Sequence, residues 1–303
     1  MNDKRVLVTG ASGMLGEAIL QVLAEKQANI LATDIATTEP NISYLDIRDI
    51  NHCNKICHEF RPNIVIHLGA LVDLEYCELN ADNAWLTNAL GTENIALLSK
   101  KYGAQMVYIS TAGVFDGDKD VYNDFDTPNP LGIYAKSKYY SEVFVQQYLS
   151  EYYIFRAGWM MGGGVSKDKK FINKIYKKIC SGVNELFIVE DKLGTPTYTY
   201  DFARNIFIVI ELGYFGLYNQ VSLGGGSRYD VAEEFINLLG LQSIIKLNKV
   251  GSAYFSQEFF APRPQSEKLI NLKLESRGLN QMRHWKDCLK EYSKVFLNHY
   301  GKI

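Results

Sequence analysis

Two groups of residues in this chain have types and spacing suited to chemistry, and the first is a phenol and an amine one helical turn apart. Tyr134 and Lys138 stand four positions apart and share one face of a helix that the pattern carries to about residue 148. Ser110 and Thr111 close the run Met106-Val107-Tyr108-Ile109, which reads as a strand. A phenol releases its proton near pH 10, but a neighbouring ammonium favours the ionised form and draws that value down. Hydride arriving at a carbonyl carbon leaves negative charge on the oxygen, so a donor must sit beside that oxygen. Tyr134 can protonate it, Thr111 can hydrogen-bond it, and Lys138 can both tune Tyr134 and hold a nicotinamide ribose. An ordinary helix surface carries such a Tyr and Lys pair just as readily, so the pair takes its meaning from the second group.

That second group is TGASGMLG at residues 9–16, directly after Val6-Leu7-Val8 and directly before a helix-like stretch over 17–25. A strand that ends in a glycine turn and opens a helix leaves the first N–H groups of that helix unpaired, where they can hold a pyrophosphate. Gly10 permits the tight turn, Gly13 lets the backbone approach phosphates, and Gly16 lets helix and strand pack closely. Ser12, Met14 and Leu15 belong to the same cradle. Ile30-Leu31-Ala32-Thr33 reads as a second strand ending at Asp34, where a carboxylate can accept hydrogen bonds from the adenosine ribose. Asp34 repels a 2′-phosphate, and Ile35, Ala36 and Thr37 supply no cation to neutralise one, which favours NAD(H). Arg5 or Arg48 reaching in from elsewhere would admit NADP(H). A glycine turn with no ligand is the plain alternative.

Positioning these groups requires strands and helices in turn. After the first two strands come 42–45, a helix over 49–60, a strand over 64–68, a helix over 82–101 and the strand that ends at Ser110-Thr111. Apolar strands alternating with helices imply an α/β fold, a doubly wound parallel sheet of the Rossmann type with helices on both faces. Ligands of such sheets lie beyond the carboxyl ends of the strands, where the glycine turn, Asp34, the turn Leu68-Gly69-Ala70 and the segment after Ile109 all fall. The rhythm loosens past residue 160. The expected organisation is a dinucleotide-binding domain over 1–160 and a smaller substrate lobe over 161–303, with parts returning to the first.

Composition bounds the rest. A chain of 303 residues with 47% hydrophobic and 22% charged residues is ordinary globular material, and a net charge of -2 offers no general attraction to nucleic acid. The apolar run Ile206-Phe207-Ile208-Val209-Ile210 stops at Glu211, far short of a bilayer span, so a soluble, cytoplasmic protein is expected. Cys53, Cys57, Cys77, Cys180 and Cys288 form an odd set without zinc-site spacing. His52, Cys53, Cys57 and His58 cluster, but Ile50, Cys53, Cys57 and Phe60 make an apolar helical stripe, and no metal is expected.

TGASGMLG, STAGVF at 110–115, and Tyr134 with Lys138 together resemble the extended short-chain dehydrogenase/reductases. HLGALVDLEYCE at 67–78, PLGIYAKSKYYSE at 130–142, FRAGWMMG at 155–162, GTPTYTYDFARNI at 194–206 and Arg263-Pro264 narrow the likeness to the dTDP-4-dehydrorhamnose reductases and their relatives. The resemblance implies reduction of the 4-keto group of a nucleotide-linked 6-deoxysugar by NADH or NADPH, with Thr111, Tyr134 and Lys138 as the catalytic set and a homodimer as the frequent assembly. It also implies Asp46-Ile47 beside the adenine, unless Asp46 is a helix N-cap. Asn88 falls near the active site or is a polar residue on a buried helix, and Trp159 packs on the sugar or in the core. Thr195, Thr197 and Tyr198 line the nucleotide pocket or form a turn entering a helix over 200–212 capped by Thr199. Arg263 serves the diphosphate ahead of Lys167, Lys169, Lys170, Lys174, Lys177 and Lys178, which read mostly as a solvated face. One departure stands out: these reductases follow the threonine with aspartate and tyrosine, where this chain has Ala112 and Gly113. A nucleotide-sugar epimerase and a non-catalytic dinucleotide-binding subunit are the alternatives.

Overall fold

A run that is apolar at every position is satisfied only where both faces of a strand are covered, and Val6, Leu7 and Val8 are all fully buried. They lie in β1 (Arg5–Thr9), followed by α1 (Met14–Glu25), β2 (Asn29–Asp34), β3 (Ser43–Tyr44), α2 (Ile50–Phe60) and β4 (Ile64–His67). Two short helices, α3 (Leu74–Leu79) and α4 (Ala81–Ala84), run through a π-helical turn at Trp85–Leu90 into α5 (Gly91–Tyr102). The alternation is completed by β5 (Gln105–Thr111), α6 (Ile133–Tyr148) and β6 (Tyr152–Ala157). Beyond it come β7 (Trp159–Met161), α7 (Gly164–Lys167), α8 (Phe171–Cys180), β8 (Glu185–Val189), β9 (Leu193–Gly194), β10 (Pro196–Tyr198) and α9 (Thr199–Glu211). The chain ends through β11 (Gly216–Asn219), β12 (Gly226–Ser227), α10 (Arg228–Leu238), β13 (Lys246–Val250), α11 (Leu272–Ser276) and α12 (Trp285–Tyr300). The computed structural model describes residues 1, 3–37 and 39–300, and of residues 299 and 300 the backbone alone.

Seven of the described strands form one sheet in the order β11-β6-β5-β4-β1-β2-β3, and every neighbouring pair is parallel. From β1 the chain winds to β2 on one side and returns to β4 on the other, so a crevice opens where the order reverses. This is the doubly wound α/β sheet expected from the alternation. The strand expected over 42–45 pairs only at Ser43 and Tyr44, while Ile42 and Leu45 are buried beside it. The helix expected unbroken over 82–101 is interrupted by the π turn, which a pattern of apolar spacing does not signal.

Residues past 160 contribute to the same sheet. β11 adds its edge strand against β6, and Phe202, Ile206, Phe207 and Ile210 of α9 pack with Ile19 and Val22 of α1. A second core gathers Met161, Ile172, Tyr176, Phe235, Trp285, Leu289 and Phe296. Cys53 and Cys57 sit on the buried side of α2, burial pushing their thiols up to about 12 and about 11, and all five cysteines are free. Among the described residues no helix is long and apolar enough to cross a membrane.

One polar contact inside the main domain anchors α6 to the sheet. The guanidinium of Arg156 on β6 donates to Glu142 of α6 through Nε at 2.9 Å and Nη2 at 2.7 Å, with the two side chains 4% and 0% exposed. Neither charge could remain buried without the other. Replacing Glu142 by Gln leaves Arg156 without a counter-charge, and the expected loss in denaturant unfolding is about 3–5 kcal/mol.

Candidate active site

The glycine turn is shaped by two different demands. Gly10 has φ +72°, and a Cβ there would stand 2.6 Å from the backbone nitrogen of Gly69 in the turn after β4. A Cβ on Gly16 would stand 2.3 Å from the carbonyl oxygen of Ala11, so this glycine serves the turn itself more than helix-on-strand packing. Gly13 is different: its Cβ would meet only the Gly10 oxygen at 3.5 Å, an ordinary contact. The protein alone does not require a glycine there, whereas a phosphate brought against the backbone would. α1 begins at Met14 with Gly13 at its N-cap position and no side chain capping it, so the N–H groups of Met14, Leu15 and Gly16 lack intrahelical acceptors. The turn therefore fits the pyrophosphate of a dinucleotide, which is held by such groups.

Asp34 ties this turn to β2. Its Oδ2 accepts from the Ser12 N–H at 3.0 Å and its Oδ1 from the Ala36 N–H at 2.9 Å, while the Ser12 hydroxyl donates to the Ala36 carbonyl at 2.7 Å. Asp46 is not the N-cap of α2. That position belongs to Asp49, which accepts from the N–H groups of Asn51 and His52, and Asp46 instead holds the Arg48 guanidinium at 2.6 Å. The hydrogen bond from Arg48 holds the Asp46 carboxyl below the usual range. Ile47 is buried beside Gly69 and Gly91, and the Leu68 N–H donates to the Thr9 carbonyl, leaving Gly69 and Ala70 in the crevice wall. Arg5 donates to the Arg61 carbonyl at the amino end of β1, opposite the crevice, so it cannot serve a 2′-phosphate. Arg48 is engaged by Asp46 and Asn83.

Thr111 ends β5 and Tyr134 lies in the first turn of α6, whose start is held from α3. The Ile133 N–H donates to Glu78 Oε1 at 2.6 Å, an anion placed where the helix dipole favours one. The Thr111 hydroxyl favours the ionised form of Tyr134, and Thr111 Oγ1 accepts the Gly113 N–H at 3.1 Å. Burial pushes the Tyr134 phenol above its usual range, the Thr111 hydrogen bond draws it back, and the charges of Cys77 and Glu267 push it further up. Lys138 is buried with its amine 4.2 Å from the Tyr108 ring centre, and burial pushes it down to about 7 while Glu142 holds it up. An amine that readily loses its charge is a weak acidifier, so the expected lowering of the phenol by Lys138 is not a property of the protein alone. Beneath them His67 is stacked on Tyr108, with Nδ1 2.7 Å from Thr9 Oγ1 and Nε2 3.1 Å from Thr92 Oγ1. Burial, then the Lys138 charge, lowers this ring to about 3, so it stays neutral.

Asn88 is fully buried in the π turn. Its amide bonds the N–H and carbonyl of Leu71, at 2.8 and 3.0 Å, and the Ser137 hydroxyl at 3.1 Å. It braces the loop after β4 against α6. Trp159 is locked: its indole N–H donates to Glu267 Oε2 at 2.6 Å, and a Cβ on Gly194 would stand 2.2 Å from the ring. The guanidinium carbon of Arg228 lies 3.6 Å over the ring centre. Thr195 is fully buried, its carbonyl accepting the Trp159 N–H at 2.9 Å, so its backbone supports the tryptophan. Thr197 is buried in β10, and Thr199 begins α9 without capping it.

The cations also sort differently from expectation. Arg263 is engaged by Glu75 at 2.7 Å and by the Ala261 carbonyl at 3.0 Å, so its fork is not free for phosphate. Lys167 pairs with Glu39 at 2.7 Å, and Lys169, Lys174, Lys177 and Lys178 are exposed. Lys170 is half-buried, and desolvation lowers its amine. Arg228 has no hydrogen-bond or ion-pair partner among the described residues; burial pushes it down to about 10 against the charge of Glu267. Sequence reasoning missed Arg228, Glu267 and Glu78. Each looks like a solvated charge in the chain, and only the fold brings it to the cleft.

Fold and site together define a nicotinamide-dinucleotide-dependent oxidoreductase of the extended short-chain dehydrogenase/reductase type. The family model described as RmlD substrate binding domain matches residues 4–298, and the chain belongs to that family. It is 32% identical over 289 residues to the spore coat polysaccharide biosynthesis protein SpsK of Bacillus subtilis (strain 168), covering 95% of this chain and 96% of that one. A dTDP-4-dehydrorhamnose reductase from Clostridium acetobutylicum ATCC 824 superposes with TM-score 0.86 at 35% identity, covering 96% of this chain and 99% of that one. The dTDP-4-dehydrorhamnose reductase from Bacillus anthracis str. Ames, solved in complex with NADP, gives TM-score 0.88 at 30% identity, with 96% and 98% covered.

Gly13→Ala is expected to leave thermal stability within about 0.5 kcal/mol of the parent while weakening dinucleotide binding about tenfold, whereas Gly10→Ala costs about 1–3 kcal/mol of stability. Calorimetric titration with a dinucleotide beside thermal melts separates the two. A second expectation concerns Lys138. Between its folded value of about 7 and its unfolded value the unfolded chain binds the extra proton, so stability rises with pH across that window. Lys138→Met should therefore raise the unfolding midpoint most below pH 7, with the gain shrinking as pH climbs; an equal gain at every pH would count against the buried, discharged amine.

Proposed function

We propose that this chain reduces the 4-keto group of a nucleotide-linked 6-deoxysugar, working as a soluble cytoplasmic enzyme in polysaccharide biosynthesis, with a chemistry like that named for the dTDP-4-dehydrorhamnose reductases it resembles. The observation that carries this reading is Thr111 at the carboxyl end of β5 with Tyr134 in the first turn of α6, where the threonine hydroxyl favours the ionised phenol. A bound nicotinamide dinucleotide would supply the hydride. Gly10, Ser12, Gly13, Met14, Leu15 and Gly16 would hold its pyrophosphate, with Asp34, Asp46 and Ile47 at the adenosine end and Leu68, Gly69 and Ala70 along the crevice.

Tyr134 is the proton donor. Its raised phenol keeps the proton in the resting protein, and Thr111 turns that hydroxyl toward the position where an oxyanion develops. Lys138 stands on the same helix face, where its amine can hold a ribose hydroxyl and accept charge as the phenol ionises. Trp159 offers its ring edge to the sugar and Arg228 its free guanidinium to the diphosphate. The carboxylate of Asp34 favours NADH over NADPH.

Tyr134→Phe should lower kcat about 10²- to 10⁴-fold while dinucleotide affinity holds. Stopped-flow oxidation of NADH with a panel of 4-keto nucleotide sugars reads this directly. Full turnover in the Phe variant would sink the assignment of Tyr134, and release of tightly held dinucleotide on denaturation without net NADH oxidation would point to an epimerase.

A further inference from the structure

The two residues after Thr111 carry no group able to hold a sugar: Ala112 has a methyl and Gly113 nothing. A carboxylate from the far end of the chain occupies the space a side chain at 113 would need. A Cβ on Gly113 would stand 3.2 Å from Glu267 Oε1 and 3.4 Å from Thr111 Oγ1, so the carboxylate oxygen and the threonine hydroxyl border the same space. Glu267 is placed there by its backbone, whose N–H donates to the Leu193 carbonyl at 2.8 Å. Its Oε2 accepts the Trp159 indole N–H, while its Oε1 has no hydrogen-bond or ion-pair partner among the described residues.

Holding Trp159 in place needs one neutral acceptor. Glu267 is half-buried, and its second oxygen remains able to accept a hydrogen bond from a ligand hydroxyl. We propose that Glu267 is a substrate-contacting specificity residue, whose Oε1 accepts a hydrogen bond from a sugar hydroxyl on a carbon adjoining the keto carbon. This rests on the keto-sugar reductase reading above. Because Thr111 addresses the keto oxygen, a hydroxyl on the next ring carbon falls beside it, on the side where Oε1 lies. The substrate class is therefore a keto sugar with a free neighbouring hydroxyl, in preference to its deoxy counterpart.

The test compares a nucleotide 4-keto-6-deoxysugar with its analogue lacking the adjoining hydroxyl, in the wild type and in Glu267→Gln and Glu267→Ala, with NADH saturating. The wild type should favour the hydroxylated substrate about 100-fold or more in kcat/KM, and Glu267→Ala should erase most of that preference, its kcat/KM falling much further on the hydroxylated substrate than on the deoxy analogue. Equal losses on both substrates would mean that Glu267 acts only by holding Trp159, and would overturn the proposal. Glu267→Gln retains an oxygen for the indole and guards against a folding defect. If the wild type turns over neither substrate, the functional reading fails. Calorimetric binding of the two nucleotide sugars to the protein with dinucleotide then judges Glu267 separately: a preference for the hydroxylated ligand that the Ala variant loses supports it, and equal affinities overturn it.

Discussion

The buried pair of Glu142 and Arg156 is the contact on which the catalytic half of this protein rests. Two charges removed from water must face each other, and that requirement locks α6 to β6 in one register. Tyr134 and Lys138 ride on the same helix, so their placement follows from it. Glu142 also holds up the charge of the buried Lys138 amine. A single carboxylate thus neutralises a structural cation and supports a functional one.

Around that anchor the site is built of polar groups that satisfy one another. Asn88 joins the loop after β4 to α6, and Thr92 donates to the Asn88 carbonyl at 2.6 Å while facing His67. The ring of His67 then supports Tyr108, over which the Lys138 amine lies. A buried network of this kind is rigid because each unmatched member would be costly. Its cost appears in Lys138 and in the raised Tyr134 phenol, two groups in surroundings that oppose their charged forms.

The substrate half follows a different rule. Charged side chains with partners, such as Arg263 on Glu75 and Lys167 on Glu39, hold loops together. Those with unmatched atoms, Arg228 and Glu267, flank the ring of Trp159. Gly194 admits that ring by having no side chain of its own. Among the described residues, the cation and one carboxylate oxygen that flank this ring are left without partners.

Much of this was legible in the chain. Continuous apolar strands alternating with helices dictate a covered parallel sheet, and a glycine turn between strand and helix dictates an anion cradle, because both follow from local geometry. The pairing of Tyr134 with Lys138 was readable from helical spacing, and Thr111 from its place at a strand end. What the tertiary structure decided is which charges find partners. Arg263 looked free and is engaged, Arg228, which no motif singles out, has no partner among the described residues, and Asn88 and Thr195 are buried as braces. The same reason separates Lys138 from its expected role toward Tyr134: spacing places two side chains on one face, but burial decides whether an amine there keeps its charge. Partnership and desolvation depend on residues far apart in the chain, and only folding brings them together.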